Sequence, residues 1–202
     1  PRISLLITAI GVSFLLENAA QMVFGASAQV IPSFFSIPPL SLGSIDISGN
    51  AVITVIISAV SMILLTFLVQ KTKMGKAMRA VSEDTDAAQL MGININSTIT
   101  FTFAIGSALA GIGSVLYCSA YPQATPTMGA MLGLKAFVAA VLGGIGSIPG
   151  AMIGGFAIGL AEALVSAAGL SVWKDGVVFA ILIIVLLVKP TGLLGKPMQE
   201  KV

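Results

Sequence analysis

AVITVIISAVSMILLTFLVQ, residues 51–70, is a run of 20 residues without a single charged side chain. As an α-helix, a run of this length rises about 30 Å, which matches the hydrocarbon thickness of a bilayer. The whole chain shares this character, because 56% of its 202 residues are hydrophobic and only 9% are charged. Soluble domains carry roughly 25% charged residues. The sequence therefore predicts an integral membrane protein built from transmembrane helices.

Five further apolar segments have the length of a membrane span. The segment 3–24 is interrupted only by Glu17, and the segment 97–120 carries no charge. From 128 to 168 the chain is too long for one span, and LGGIGSIPG at 142–150 offers a turn, so we expect a helical hairpin there. The fold class is therefore an all-α polytopic bundle of about six spans, in one transmembrane domain. The predicted domain covers 1–202, with spans at 3–24, 51–70, 97–120, 128–148, 149–168 and 172–188.

Lysine and arginine gather just beyond two of the predicted spans. The clusters are Lys71, Lys73, Lys76 and Arg79 after the second span, and Lys189, Lys196 and Lys201 after the last. Since basic residues concentrate in cytoplasmic connections, both clusters are predicted to lie in the cytoplasm. An even number of spans separates them, so the two assignments agree. The connection 71–96 is then cytoplasmic, and the connection 25–50 lies outside.

The cytoplasmic connection contains a short amphipathic segment, KAMRAVSEDTDAAQLMG at 76–92. Its apolar side chains recur at helical spacing while its charged side chains fall elsewhere. Ser82 can cap a helix that begins at Glu83, because a hydroxyl in that position accepts hydrogen bonds from free backbone N–H groups. Gly92 follows the last apolar residue and predicts the end of the helix. Spacing alone also fits a solvated linker.

The order of residues within this helix is more specific than its spacing. Asp86-Ala87-Ala88, followed at the fourth position by Gly92, resembles the E-A-A-x-x-x-G signature of ABC importer permeases. In that family the loop forms a short helix that docks in a groove of the cytoplasmic ATPase and transmits nucleotide-driven movement to the spans. This chain departs from the pattern in its aspartate, and in lacking the isoleucine and Leu-Pro expected further on. The resemblance implies a coupling loop that includes Arg79, Glu83, Asp86, Ala87, Ala88 and Gly92.

Longer stretches of the chain resemble one branch of that family. They are ITAIGVSFLLEN at 7–18, KMGKAMRAVSEDTDAAQLMGIN at 73–94, GLKAFVAAVLGGIGSIPGAMIGG at 133–155 and KPTGLLG at 189–195. Together they look like the permease of a high-affinity branched-chain amino acid ABC transporter of the bacterial inner membrane, which carries leucine, isoleucine and valine. Because Pro1 is not a methionine and the chain is already apolar from Ile3, an N-terminal part of the protein is expected to be missing.

The resemblance also implies a set of partners. A homologous second permease subunit, two cytoplasmic ATP-binding subunits and a periplasmic substrate-binding protein would assemble with the chain, surrounded by membrane lipid. The chain itself would be a passive conduit for the amino acid, and not an enzyme. Related permeases carry urea and short amides, so this second substrate class stays open.

Glycines recur at helical spacing around the predicted hairpin. Gly146, Gly150 and Gly154 are spaced by four, as are Gly155 and Gly159. Rows of small residues allow neighbouring transmembrane helices to approach closely, so a role in helix packing is predicted. A phosphate-binding loop is excluded, because no Lys-Ser/Thr follows the glycines and no strand precedes them.

Three ionisable residues, Glu17, Lys135 and Glu162, lie inside predicted spans. Each costs several kcal/mol there unless it is paired, hydrated or able to reach the interface. Lys135 and Glu162 are equally far from the hairpin turn between Ile148 and Pro149, so folding of the hairpin brings them to one height. We expect an ion pair between them. A place on the substrate path remains the alternative.

The composition argues against several other classes of function. The chain has no histidine and one cysteine, so the usual imidazole base and metal ligand are missing, and no metal site or cofactor is predicted. A net charge of +2 is too small to suggest nucleic acid. No Walker motif occurs, which fits a subunit that uses ATP hydrolysis by others. The alternatives are an ion-coupled secondary transporter or channel for a small polar solute, with the three intramembrane charges as ion sites, and a membrane scaffold.

Overall fold

The computed structural model describes residues 2–32, 40–42 and 45–195. Within these ranges the chain forms α1 (Arg2–Phe24), α2 (Gly49–Lys71), α3 (Lys73–Glu83), α4 (Thr85–Leu90), α5 (Ile95–Ala120), α6 (Met128–Gly143), α7 (Ile148–Ala167) and α8 (Lys174–Val188), with a 3-10 turn at Ser171–Trp173. Its strands are two or three residues long: β1 (Gln29–Val30), β2 (Leu40–Leu42), β3 (Ile45–Ile47) and β4 (Gln123–Ala124). The predicted all-α bundle is confirmed.

The described ranges contain five helical segments that are long and apolar enough to cross a membrane. They are Ile7–Phe24, Gly49–Lys71, Ile95–Ala120, Ile148–Ala167 and Ser171–Val188. The remaining predicted span, 128–148, is wrong in its length, because α6 ends at Gly143 after 16 residues, a rise of about 24 Å. The cause is local. Gly144 and Gly146 have φ values of 106° and 93°, which a right-handed helix does not accommodate.

The helices α6 and α7 form the predicted hairpin and approach each other backbone to backbone. A Cβ atom added to Gly150 would collide with the backbone carbonyl of Gly143, and one added to Gly154 would collide with the carbonyl of Ala139. Small residues at these positions let the two helices meet without intervening side chains. Ser147 caps the start of α7, because its hydroxyl accepts a hydrogen bond from the N–H of Gly150 at 3.2 Å.

The other glycines of the predicted rows are placed differently. Gly146 lies in the turn before α7 and not in the helix. Gly155 and Gly159 lie on α7, but open space surrounds the positions where their Cβ atoms would stand. Within the described part of the chain these two glycines therefore meet no neighbour, and a packing role for them stays a prediction that involves another chain or lipid.

The buried apolar core joins α6, α7 and α8. Val138 and Val178 are the most buried side chains, with 1% and 0% exposure, and Ile158 packs in the same cluster. Each of the three helices contributes one of these residues. The three helices thus form one packed unit, whereas in α1 the segment Ile7–Phe24 buries none of its residues within the chain.

The segment that follows α8 returns to the end of α6. The backbone N–H groups of Leu193 and Leu194 donate to the carbonyls of Leu142 and Gly143, each at 2.9 Å. These carbonyls belong to the last turn of α6, which has no intrahelical partners for them. The segment therefore completes the hydrogen bonding of α6 and fastens the end of α8 to it.

The connections between helices fall at two ends of the bundle. At one end β1 pairs with β4, and the side chain of Asn50 donates to the carbonyl of Ser119 at 2.8 Å. At the other end of α2, residues 69–71 lie beside the α6–α7 turn. This grouping agrees with the predicted sidedness of the connections, and the orientation itself stays a prediction. Lys196 and Lys201, two of the residues used to predict it, lie outside the described residues.

A pair of adjacent glycines tests the hairpin contact. We expect Gly154→Ala to lower the free energy of unfolding by about 1–3 kcal/mol, because its methyl group has no space against α6. Gly155→Ala has open space, and its better helix propensity should leave stability unchanged or raise it by up to about 1 kcal/mol. Thermal unfolding of the purified protein in detergent measures both. Equal melting temperatures for the two variants would contradict the packing described here.

Thiol labelling tests the orientation. The native Cys118 is a poor reporter because it is only 5% exposed. In a Cys118→Ala background we expect Tyr121→Cys to react with a membrane-impermeant reagent added outside, and Leu90→Cys to react only from the cytoplasmic side. The native side chains are 62% and 89% exposed, so access to both positions is open. Labelling of the two variants from opposite sides to those expected would invert the predicted topology.

Candidate functional site

The predicted coupling loop contains two helices, and the predicted start of the second is wrong by two residues. α3 runs through to Glu83, and the chain then breaks at Asp84, which has an extended backbone. The Asp84 carboxylate accepts hydrogen bonds from the N–H groups of Asp86 at 3.1 Å and Ala87 at 3.0 Å. Ser82, the predicted cap, instead donates to the carbonyl of Arg79 at 2.8 Å. Ser82 and Asp84 both belong to residue types that cap helices, and the backbone break decides between them.

The predicted end of α4 at Gly92 is confirmed. Gly92 has a φ of +82°, in the left-handed region that glycine adopts without strain. Its N–H donates to the carbonyl of Gln89 at 3.0 Å, and the N–H of Ile93 donates to the carbonyl of Ala88 at 3.1 Å. These two bonds form a Schellman motif, which satisfies the last carbonyls of the helix and turns the chain toward α5.

One side of α4 faces the protein and the other faces solvent. Ala88 is 4% exposed, while Asp86 and Ala87 are exposed. Leu90 and Met91 are 89% and 82% exposed, although both are large and apolar. A cluster of exposed apolar side chains on a charged loop is typical of a surface that another protein covers.

The base of the coupling loop is fixed to the spans. Thr72 separates α2 from α3; its hydroxyl accepts from the N–H of Gly75 at 3.0 Å and donates to the carbonyl of Leu68 at 2.6 Å. Gly75 is buried, and an added Cβ atom there would collide with the carbonyls of Leu68 and Val69. On the far side, the Asn94 side chain caps α5 by accepting from the N–H of Ser97 at 3.1 Å. The remaining predicted residues of the loop, Arg79 and Glu83, lie exposed on α3.

A second group of candidate site residues lies where α6, α7 and α8 meet. The Lys135 ammonium is 2.7 Å from Oε1 of Glu162 and 2.7 Å from Oδ1 of Asp175. The side chains of Lys135, Glu162 and Asp175 are 21%, 24% and 37% exposed. The structure thus brings Lys135 and Glu162 together, and it adds a carboxylate that the sequence analysis missed. We call this group the charge triad.

Glu17 lies apart from the charge triad. It is partly exposed on α1, and within the described residues no ion pair includes it. The same described ranges contain no cluster of three or more His, Cys, Asp or Glu residues that could hold a metal ion. A role for Glu17 as an intramembrane charge therefore stays a prediction.

Comparisons with known proteins agree with this arrangement. The family described as branched-chain amino acid transport system, permease component, matches residues 2–186. The chain is 45% identical to the high-affinity branched-chain amino acid transport system permease protein LivH of Salmonella typhimurium and to LivH of Escherichia coli, in alignments that cover 100% of this chain and 67% of each relative. It is 42% identical to the corresponding protein BraD of Pseudomonas aeruginosa, with 98% and 66% covered.

The chain thus spans about two thirds of the length of these relatives. No solved structure matches it. The family match covers nearly the whole chain and agrees with the helical spans described above. On this evidence the chain is a multi-pass membrane protein that belongs to the family of permease components of branched-chain amino acid transport systems.

Proposed function

We propose that this chain is the membrane-spanning subunit of an ABC importer that carries leucine, isoleucine and valine across the bacterial inner membrane. The observation that carries the proposal is the pair of exposed apolar side chains at the end of α4, Leu90 and Met91, at 89% and 82% exposure. A subunit without an ATPase of its own needs such a surface to receive movement from one. The names of the relatives, which describe high-affinity branched-chain amino acid transport, support the substrate class.

The mechanism follows from how α4 is attached. A force on α4 passes forward through the short turn at Gly92 to α5, and backward through α3 to α2. The tight corner at Gly75 leaves α3 little freedom to swing against α2, because backbone atoms already occupy the space of a side chain. Movement of α4 is therefore delivered to two spans together at their cytoplasmic ends, where it can open or close a path between subunits.

The remaining partners fit surfaces that this chain leaves uncovered. Two cytoplasmic ATP-binding subunits would engage α4, one for this chain and one for a homologous second permease. Glycines without neighbours on α7, Gly155 and Gly159, are suited to close contact with that second permease. The outer connection between α5 and α6, which carries the exposed Tyr121, would receive the periplasmic substrate-binding protein.

The charge triad acts, in this proposal, as a structural tie and not as a transport site. One lysine reaches two carboxylates on two other helices, so both carboxylates contact a cation that the protein itself supplies. Unpaired charges at this depth are costly, which explains why three helices converge on the lysine. An ion-coupled transporter would instead need carboxylates that are free to exchange partners with an ion during transport.

Substitution of the exposed face of α4 tests the coupling role. We expect Leu90→Asp to leave the permease in the membrane at normal abundance, because the native side chain makes little contact within the chain. It should reduce copurification of the ATPase subunits and ATP-dependent leucine uptake by roughly tenfold or more, as loss of a central apolar anchor does at interfaces. Ser82→Asp, which adds the same charge to the exposed end of α3, is the matched control.

Two outcomes of this experiment are informative. Normal uptake and normal ATPase retention in the Leu90→Asp variant would exclude α4 as the contact. Uptake that persists without any ATP-binding subunit would instead favour the secondary transporter or channel.

Loss of the lysine and loss of one carboxylate from the charge triad should have different effects on stability. Lys135→Met should destabilise the folded protein by about 2–4 kcal/mol, because it leaves two carboxylates without their cation. Glu162→Gln or Asp175→Asn alone should cost about 1 kcal/mol or less, since the lysine keeps one partner. The triple variant should recover much of the loss. Thermal unfolding in detergent measures all four, and a stable Lys135→Met protein without uptake, which the triple variant does not restore, would instead assign the lysine to the substrate path.

A further inference from the structure

An open cleft lies at the cytoplasmic end of the bundle, between the end of α2, α3 and the α6–α7 turn. Its volume is about 580 Å³, and its polar lining includes Lys71 and Arg79. Both side chains are exposed, and neither forms an ion pair within the described residues. No acidic residue lines the cleft in the described part of the chain. The cleft is therefore a concave surface with two free positive charges.

The cleft continues into an apolar groove between the helices. A second cavity, of about 410 Å³, shares the lining residues Val69, Ile145 and Ile148 with the cleft. It extends along α2 and α5, where Leu65 and Leu109 line it. The two cavities together form one amphipathic groove, with a basic mouth and an apolar interior.

The position of the groove relative to the membrane follows from α2. Lys71 is the last residue of this span of 23 residues, so the basic mouth lies at the level of the lipid headgroups. Leu65 lies about 9 Å further along α2, at the depth of acyl chains. The basic mouth and the apolar interior thus match the two parts of a lipid molecule at the heights where the bilayer presents them.

We propose that this groove binds an anionic phospholipid of the cytoplasmic leaflet. The phosphate and its headgroup would lie between Lys71 and Arg79, since guanidinium and ammonium groups donate several hydrogen bonds to phosphate oxygens. One acyl chain would lie along the apolar interior. Basic pockets between helices on the cytoplasmic side are suited to anionic headgroups, whose leaflet carries a negative surface potential.

The bound lipid would contact both moving and fixed parts of the subunit. Arg79 belongs to α3, which carries α4, whereas Ile145 and Ile148 belong to the α6–α7 hairpin. A phospholipid seated between them would stabilise one relative position of the coupling loop and the hairpin. The inference does not depend on which amino acid is transported, and it adds a lipid site to the proposed permease function.

The test compares two double variants in the intact transport complex. Lys71→Gln with Arg79→Gln removes the positive charges of the cleft; Lys73→Gln with Lys76→Gln removes the same charge from the same end but from outside the cleft. Each complex is placed in nanodiscs of phosphatidylcholine doped with phosphatidylglycerol, and the retained phosphatidylglycerol is counted by native mass spectrometry. We expect the cleft variant to retain roughly tenfold less lipid than the native complex, and the control to stay within about twofold.

A third variant tests the lipid site without changing Lys71 or Arg79. Ile145→Glu places a negative charge in the cleft at a side chain that is 74% exposed, so folding should not suffer. It should also lower phosphatidylglycerol retention. Size-exclusion profiles check that every variant assembles.

Several results would overturn the proposal. Equal lipid loss in the cleft and control variants would mean general attraction by basic residues, and no retention by the native complex would mean that the groove holds no lipid. Inorganic phosphate that raises the melting temperature as much as phosphatidylglycerol does would assign a simple anion site. Loss of ATPase subunits from the cleft variant, with lipid retention unchanged, would assign the two basic residues to a protein interface.

Discussion

Inside a bilayer, no water is available to satisfy a backbone N–H group, a carbonyl or a charge, and this constraint governs the structure. Helices satisfy their own backbone groups except at their ends, and the groups at each end need partners from outside the helix. The last carbonyls of α6 are met by the N–H groups of Leu193 and Leu194, from a segment far away in sequence. The same constraint explains the charge triad, in which one lysine reaches carboxylates on two neighbouring helices. Polar groups here hold helices together, because an unpaired polar group inside the membrane costs free energy.

These polar contacts are not spread evenly over the subunit, so some of its helices are packed more tightly than others. The helices α6, α7 and α8 share a buried core, a close backbone contact, the charge triad and the returning C-terminal segment. The helices α2, α3 and α5 contact one another, α2 also contacts α7, and the groove lies between α2, α5 and the α6–α7 hairpin. If α4 transmits movement as proposed, that movement is expected at this groove, because a packed core resists small deformations more than an open groove does.

The sequence alone was enough to predict features that depend on hydropathy over long segments and on distances along the chain. The span at 51–70, the hairpin and the Lys135–Glu162 contact all follow from hydropathy and from distance along the chain. Asp175 was missed because it lies in the first turn of the last helix, where an acidic residue is ordinary. The signal that could have found it is its position along the chain, since Glu162 lies near the end of α7, Asp175 lies near the start of α8, and a short connection joins these two ends.

The other wrong predictions concern positions where neighbouring residues of the same type could each have played the role. Ser82 and Asp84 are both capping residues, and only the tertiary course of α3 decides which of them meets free N–H groups. Likewise, spacing assigned five glycines to packing rows, but a period of four does not say which face of a helix meets a neighbour. Gly154 and Gly155 are adjacent and chemically identical, yet only the first lies against α6. The length of α6 was misjudged because hydropathy continues through the turn, whereas the backbone conformation of Gly144 does not.

The short length of α4 is itself informative about how it works. Six residues are too few for an isolated helix to be stable in water. This helix is nevertheless fixed at both ends, by the Asp84 carboxylate and by the bonds around Gly92, and Ala88 anchors its inner side. A partner that binds its exposed face therefore does not have to order it first, and the binding free energy is retained for the contact. Because the same hydrogen bonds join α4 to α3 and α5, the proposed contact with an ATPase subunit would act on the spans and not on a flexible loop.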